Sequence, residues 1–365
     1  MKKCFLIFLF SLTSIFLFYS FYKYFAENKY KSRSHFNNLE AIVPDSIDPL
    51  CVINSKSFSD KSIISLRELK IMIPESRRWS KNLLNAKLSS KDTIQDKYKK
   101  KFKGFVLFDN KKEICKLKAT IRISGDFKDH IKYMGDDILS SLDIKLDEGN
   151  INGIIRFKLF LPHTRNESSE VITSLLFKKM GYLAPRTRFI LADVNNTKHQ
   201  MIMQEKVSKE MIENNNFRES AIFASDESLM WKLRLKKDLG FNNYIFPKVV
   251  NKSWLKKGDV HRNIALKGFD IFSRAILESW NLSNGHDEVS YNDLILSNGD
   301  LNSKSLLSRY RAHLIAMKAF HGLINHNRKF FYKTLSNSLV PVYYDGDSNI
   351  RSFTDLNQAE IKYLK

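Results

Sequence analysis

Cysteine is scarce in this chain. Cys4, Cys51 and Cys115 are its only three. They form neither a CxxC pair nor a Cys/His cluster at zinc spacing, which argues against a structural zinc. Cys51 and Cys115 are able to pair in an oxidising compartment, but two cysteines make no framework, and two unpaired thiols are the expectation. Acidic residues are also few: 39 Asp and Glu stand against 60 Lys and Arg, a formal net charge of +21. That balance favours anionic partners such as nucleotide phosphates, acidic polysaccharide, anionic lipid or nucleic acid. Lys, Asn and Ile are abundant together, so compositional bias accounts for part of the excess. No helix-turn-helix, zinc or RNA-recognition signature accompanies the charge, and no nucleic-acid partner is expected. Internal repeats and low-complexity tracts are absent as well.

What is present is the composition of a folded protein, 43% hydrophobic and 12% aromatic over 365 residues. That length suffices for one large domain or two lobes with a substantial core. The run from Cys4 to Tyr22 is uncharged and apolar, long enough for a helix to cross a hydrocarbon core of roughly 30 Å. Tyr19, Tyr22 and Tyr24 suit an interfacial belt. No small-x-small cleavage site follows, so residues 1–24 are read as an uncleaved transmembrane anchor. Lys2 and Lys3 lie on one side of it, with Lys23, Lys29, Lys31 and Arg33 on the other. The count of positive charges therefore does not fix the orientation. The expectation is a single-pass membrane protein, with the extracytoplasmic side favoured for its domain.

Residues 25–100 read as a linker and helical stalk, with "SIISLRELKIMI" at helical spacing. From Phe102 the period changes to two. "GFVLFD", "ICKLKATIRISGDF", "LDIKL" and "IIRFKLFL" read as strands. Alternation in the second sets Leu117, Ala119, Ile121 and Ile123 on one face, and Lys116, Lys118 and Arg122 on the other. In "SSEVITSLLFKKMGYLAPRTRF" a helix opens at Ser168 or Ser169 and ends at Gly181. A strand, "RFILADV", and its partner, "QMIMQEKV", follow. Beyond Ser208 the chain reads as mainly helical, closing on two short strands, "KFFYKTL" and "VPVYYDG". Strand runs followed by helix runs argue an α+β fold.

The chemistry concentrates near the C-terminus. Asp345 follows an apolar strand and precedes Gly346, a common way to hold Mg²⁺ against phosphate oxygens. If "KFFYKTL" and "VPVYYDG" pair with "TLSNSL" at the far end, Asn327 and Asp345 meet at the near end, as Asn and Asp do on the metal of kinases. The bland alternative is that both merely terminate strands. Asp345 and Asp347 also form an Asp-x-Asp, which serves nucleotide-sugar binding in glycosyltransferases, although here it follows helices rather than a nucleotide-binding region.

"ATIRISGDFKDHI", "SLDIKL", the run from "RFKLFLPHTRNESSE" to "QEKVSKEMIE", "HNRKFFY" and "VYYDGD" together resemble, in this order over roughly residues 100–350, bacterial proteins related to the CotH spore-coat kinases. The resemblance implies a bilobal atypical-kinase-like fold, with a β-rich N-lobe carrying an inserted helix at 101–207 and a helical C-lobe with the metal-site hairpin at 208–365. It implies ATP and Mg²⁺ or Mn²⁺ as cofactors. Asp345 and Asn327 would be the metal ligands, and Glu205 would face the nucleotide. Lys145 and Arg165 would contact phosphate, the latter beside the N-terminus of the inserted helix. Arg156 and Lys158 form a rival basic pair, for which a solvated face is the default. The family's carboxylate base is missing: "FHGLIN" offers only His321, with His326 just beyond, as proton acceptors. The implied function is a kinase acting on a protein Ser/Thr or a glycan hydroxyl in cell-envelope or surface-polysaccharide assembly. The alternative is a catalytically inactive pseudokinase or membrane scaffold.

Overall fold

The computed structural model describes residues 66–109, 114–135, 137–230, 245–282 and 290–350. All lie within one compact unit, Ile47–Lys365. The anchor read at 1–24 and the linker up to residue 65 fall outside the described residues. Among the described residues no helix is long and apolar enough to cross a membrane.

In chain order the elements are β1 (Glu68–Met72), α1 (Ser76–Leu88), β2 (Phe102–Asp109), β3 (Ile114–Ile123), β4 (Ile131–Met134), β5 (Asp137–Ser140), β6 (Leu142–Leu146), β7 (Arg156–Phe160), α2 (Ser168–Lys179), β8 (Thr187–Val194) and β9 (Thr197–Glu205). There follow α3 (Lys209–Asn214), β10 (Ile222–Asp226), β11 (Phe246–Val249), α4 (Lys252–Leu255), α5 (Asp259–Leu282), α6 (Asp293–Leu296), α7 (Leu301–Ala316), β12 (Lys329–Lys333) and β13 (Ser338–Val342). The fold is mixed α+β, as the order of strand and helix runs implies.

Strands β1, β2, β3, β6, β7, β9 and β8 close into a barrel in that order. The closing pair β1–β8 is parallel. Alternation explains the barrel. Leu117, Ala119, Ile121 and Ile123 point inward and are at most 1% exposed. They pack with Ile71, Ile144, Phe157, Leu159 and Met203. Each such Leu or Ile contributes about 2 kcal/mol by leaving water. The helical spacing read in "SIISLRELKIMI" does not hold, since Glu68–Met72 is a strand. Leu69 and Ile71 enter the barrel core, and pairing with both β2 and β8 overrides local propensity. The stalk reading also gives way at α1, whose Trp79 meets the Phe102 ring edge-on at 5.1 Å. Cys115, buried on β3, is disulfide-bonded. This overturns the expectation of unpaired thiols; its partner lies outside the described residues.

The later part is less helical than its sequence suggests. Strands β11, β10, β12 and β13 form an antiparallel sheet. β10 and β11 are too short to signal themselves by period. Helix α5 lies close against this sheet at Gly268, where a Cβ would stand 2.7 Å from the Phe223 ring and 2.8 Å from that of Tyr332. The β12–β13 hairpin is the expected one, with Lys329 opposite Val342 and Lys333 opposite Ser338. Its exit is stitched to the segment after α2: Tyr343 N donates to Leu183 O at 2.7 Å. That bond sets residues 344–348 beside α2 and the end of β7.

Candidate functional site

Asp345 leaves β13 at a corner that several chain segments share. A short 3₁₀ turn, Pro162–Arg165, joins β7 to α2 and delivers Arg165. Arg165 Nη2 stands 3.2 Å from Asp345 Oδ1, and the two side chains are 12% and 15% exposed. Its guanidinium also lies 4.1 Å from the centre of the Phe160 ring. A second 3₁₀ turn after α7 brings His321, whose Nδ1 donates to the Asp345 carbonyl oxygen at 3.0 Å. The same nitrogen is 3.8 Å from the Asp345 carboxylate. Asn327, in the turn before β12, donates from Nδ2 to His321 Nε2 at 3.0 Å and to the His321 carbonyl at 3.2 Å. Asn327 and Asp345 are thus brought to one end of the hairpin and joined through one imidazole. His326 is half-buried beside Asn327.

Two further cations enter from strands. Lys158 on β7 donates to the Tyr344 hydroxyl at 3.2 Å. Lys329, the first residue of β12, places its ammonium 3.3 Å from the centre of the Tyr344 ring. Asn166 donates to the Asp347 carboxylate at 3.0 Å. Asn166, Glu167, Asp345 and Asp347 have φ of 45°, 53°, 51° and 47°. Asn and Asp visit that left-handed region readily, so Glu167 is the one of the four whose backbone is strained. Gly346 serves its own chain rather than a ligand: a Cβ there would lie 2.5 Å from the Tyr343 hydroxyl.

The charges answer one another. Burial opposes ionisation of Asp345, but the charge of Arg165, the His321 hydrogen bond and charge, and then Lys158 outweigh it and hold the carboxyl far below the usual range. Burial opposes a charged His321, but its hydrogen bond and attraction to Asp345 raise its pKa on balance. Lys329 is lowered by burial, against the pull of Tyr344. Burial raises the Tyr344 phenol, while Lys158 and Lys329 bring it down overall. On α2, burial pushes Glu170 up to about 7 despite Arg165 nearby. Glu170 accepts from Tyr343 at 2.9 Å and from Gln204 at 3.1 Å.

Two predicted residues are not brought to this corner. Lys145 lies exposed on the outer barrel face, in an open groove with Lys103, Arg156 and Lys206. Glu205 forms a buried two-pronged pair with Arg186, Nε to Oε2 at 2.7 Å and Nη2 to Oε1 at 2.8 Å. It points to the opposite face of β9 from Gln204, the residue that does reach α2. Lys158, read in the sequence as half of a rival basic pair with a solvated face as its default, instead packs against Tyr344. Lys329, Tyr344 and Glu170 went unselected in the sequence. Their signal was a charge or hydroxyl set among apolar strand or helix residues.

For a divalent ion the donor set is mixed. Among the described residues no group of three or more His, Cys, Asp or Glu side chains is placed to hold one. Yet Asp345 Oδ1 and Arg165 Nε are both buried without a hydrogen-bond partner. One is an acceptor suited to a cation and the other a donor suited to a phosphate oxygen. With its nitrogen committed to His321, Asn327 has its amide oxygen as the atom to offer a cation. The chain matches no family model and no curated protein.

Proposed function

We propose that this protein is a CotH-like, ATP-dependent kinase of bilobal atypical-kinase architecture, anchored in a bacterial inner membrane by one N-terminal helix. In this reading residues 101–207 form the N-lobe and 208–365 the C-lobe. The observation that carries it is the convergence of Lys158, Arg165 and Lys329, from separate segments, on the Tyr344–Asp345 corner. Buried cations gathered around one carboxylate leave positive charge for the phosphates of ATP. Lys158 takes the phosphate-contact role that the resemblance gives Lys145. Asp345 and Asn327 would hold Mg²⁺ or Mn²⁺, which when bound neutralises phosphate charge. An acceptor hydroxyl of a protein Ser/Thr or a glycan attacks the γ-phosphorus. The bond from that phosphorus to the bridging oxygen breaks, ADP departs, and the hydroxyl proton passes to solvent, since both His321 nitrogens are engaged by Asp345 and Asn327. The Cys115 disulfide supports an oxidising, extracytoplasmic setting.

A second reading, a pseudokinase or membrane scaffold, draws on a specific feature. Asp345 is already neutralised by Arg165 and His321, and no carboxylate stands in "FHGLIN" to act as base. Thermal shift of the full chain in detergent with ATP and Mn²⁺, for wild type and Asp345→Ala, tests nucleotide binding. Transfer of label from γ-labelled ATP then separates kinase from pseudokinase. A shift with a nucleotide-sugar in place of ATP would select the Asp-x-Asp transferase instead.

A further inference from the structure

The outer barrel face carries a second charged feature, which adjoins the Asp345 corner where Asp143 pairs with Lys158 across β6 and β7. A groove of about 470 Å³ is lined by Lys101, Lys103, Arg122, Lys145, Arg156 and Lys206, with Asp143, Asp147, Thr120 and Phe102. Its volume falls in the range of small-ligand clefts, about 300–1,000 Å³. Strand register explains the row of side chains. Lys103 pairs with Thr120, Thr120 with Lys145, and Lys145 with Arg156. Lys206 N then donates to the Arg156 carbonyl at 2.9 Å. Directly opposed positions on one face hold their side chains close, and like charges there repel.

The groove's two acids are engaged by Thr120 and by cations of the groove other than Lys145 and Arg156. Asp147 accepts from Lys103 at 2.8 Å and from Thr120 at 2.9 Å. Asp143 accepts from Arg122 at 2.6 Å and from Lys206 at 3.0 Å. Lys145 and Arg156, both exposed, belong to none of the groove's salt bridges. The fold therefore holds two cations face to face, and the nearby Asp147, whose charge reaches Lys145, is already shared with Lys103 and Thr120. A bound carboxylate would relieve that repulsion.

We infer that this groove binds an acidic oligosaccharide, with Lys145 and Arg156 clamping a uronate-type carboxylate. The neighbouring groups decide between anionic partners. Sugar hydroxyls both donate and accept, and Asp143, Asp147 and Thr120 supply acceptors between the cations. A uniform polyanion would meet those two aspartates as repulsion. Nucleic acid would want exposed aromatic faces, and the groove's one aromatic, Phe102, is buried.

Titrating the full chain in detergent with oligogalacturonate, and separately with a neutral maltooligosaccharide, poly-glutamate and single-stranded DNA, tests the assignment. Oligogalacturonate binds most tightly, and Lys145→Gln/Arg156→Gln, with its melting temperature checked for folding, weakens it about tenfold or more. Lys329→Met, which alters the ATP corner away from this groove, leaves oligogalacturonate affinity unchanged, so this outcome is separable from failure of the ATP site. Equal binding of the neutral glycan, equal or tighter binding of poly-glutamate or DNA, or undiminished affinity in the folded double variant overturns it. Should the double variant not fold, Lys145→Gln alone gives the same test.

Discussion

His321 Nδ1 donates to the Asp345 carbonyl oxygen at 3.0 Å and lies 3.8 Å from the Asp345 carboxylate. The neutral imidazole is thereby fixed from one side by Asp345 and from the other by Asn327; the Asp345 charge favours a second proton, which makes Nε2 a donor and requires the Asn327 amide to turn its oxygen toward the ring. A histidine raised by its partner contributes stability that is fully present below the unfolded value of about 6.5. That contribution is lost as pH rises through the elevated folded value. Thermal melts across pH 5.5–9 should show wild type losing stability toward the alkaline side relative to His321→Gln. Parallel curves for the two proteins would contradict the coupling.

The Arg165–Asp345 pair should be costly to break from one side only. Arg165→Met leaves a buried carboxylate without its main counter-charge, and a loss of about 3–5 kcal/mol is expected from denaturant unfolding. Arg165→Met/Asp345→Asn should recover much of it. Additive losses in the double variant would mean that the two side chains do not act as a unit. Asp345 itself titrates in the opposite sense to His321. Its stability is present above the unfolded carboxyl value and disappears as pH falls through the depressed folded one.

Glu170 carries a third pH signature. With its folded value pushed up to about 7 from 4.5, its contribution is complete below 4.5 and is lost as pH climbs toward 7. Relative to Glu170→Gln, wild type should fall by roughly 2–3 kcal/mol over that interval. A constant difference would mean that Glu170 titrates in the fold as it does in the unfolded chain.

Arg328 is a buried charge with little return. It is 4% exposed, and none of its three guanidinium nitrogens has a hydrogen-bond partner. The rings of Tyr291 and Phe330, at 5.3 and 4.9 Å from its guanidinium carbon, are its cushion. Replacing such a group by an apolar residue of similar volume gains stability of about 1–3 kcal/mol. Arg328→Met should therefore melt higher. A drop of several degrees would reveal a compensating interaction for the guanidinium.

Much of this was legible in the sequence where a period ran long enough. The alternation in "KLKATIRIS" named the inward face of β3 residue by residue, and the paired strands "KFFYKTL" and "VPVYYDG" brought Asn327 and Asp345 to one end of a hairpin. β1 was not legible, because five residues fit a helical spacing and only pairing with β2 and β8 makes them a strand. Nor was the choice among basic residues. Lys145 and Lys158 both alternate outward, and what separates them is the folding of Tyr344 against one and not the other. Glu205 read as a group facing the nucleotide because its partner, Arg186, is nineteen positions away.

Lys158, Arg165 and Lys329 are proposed to make the Asp345 corner a site for ATP phosphates. Calorimetric titration of the full chain in detergent with ATP and Mn²⁺, comparing wild type with folded Lys158→Met and Lys329→Met, tests it most directly. Saturable binding by wild type that weakens at least about tenfold in each variant is the predicted result. Absence of ATP binding by wild type, or binding indifferent to both substitutions, would contradict it.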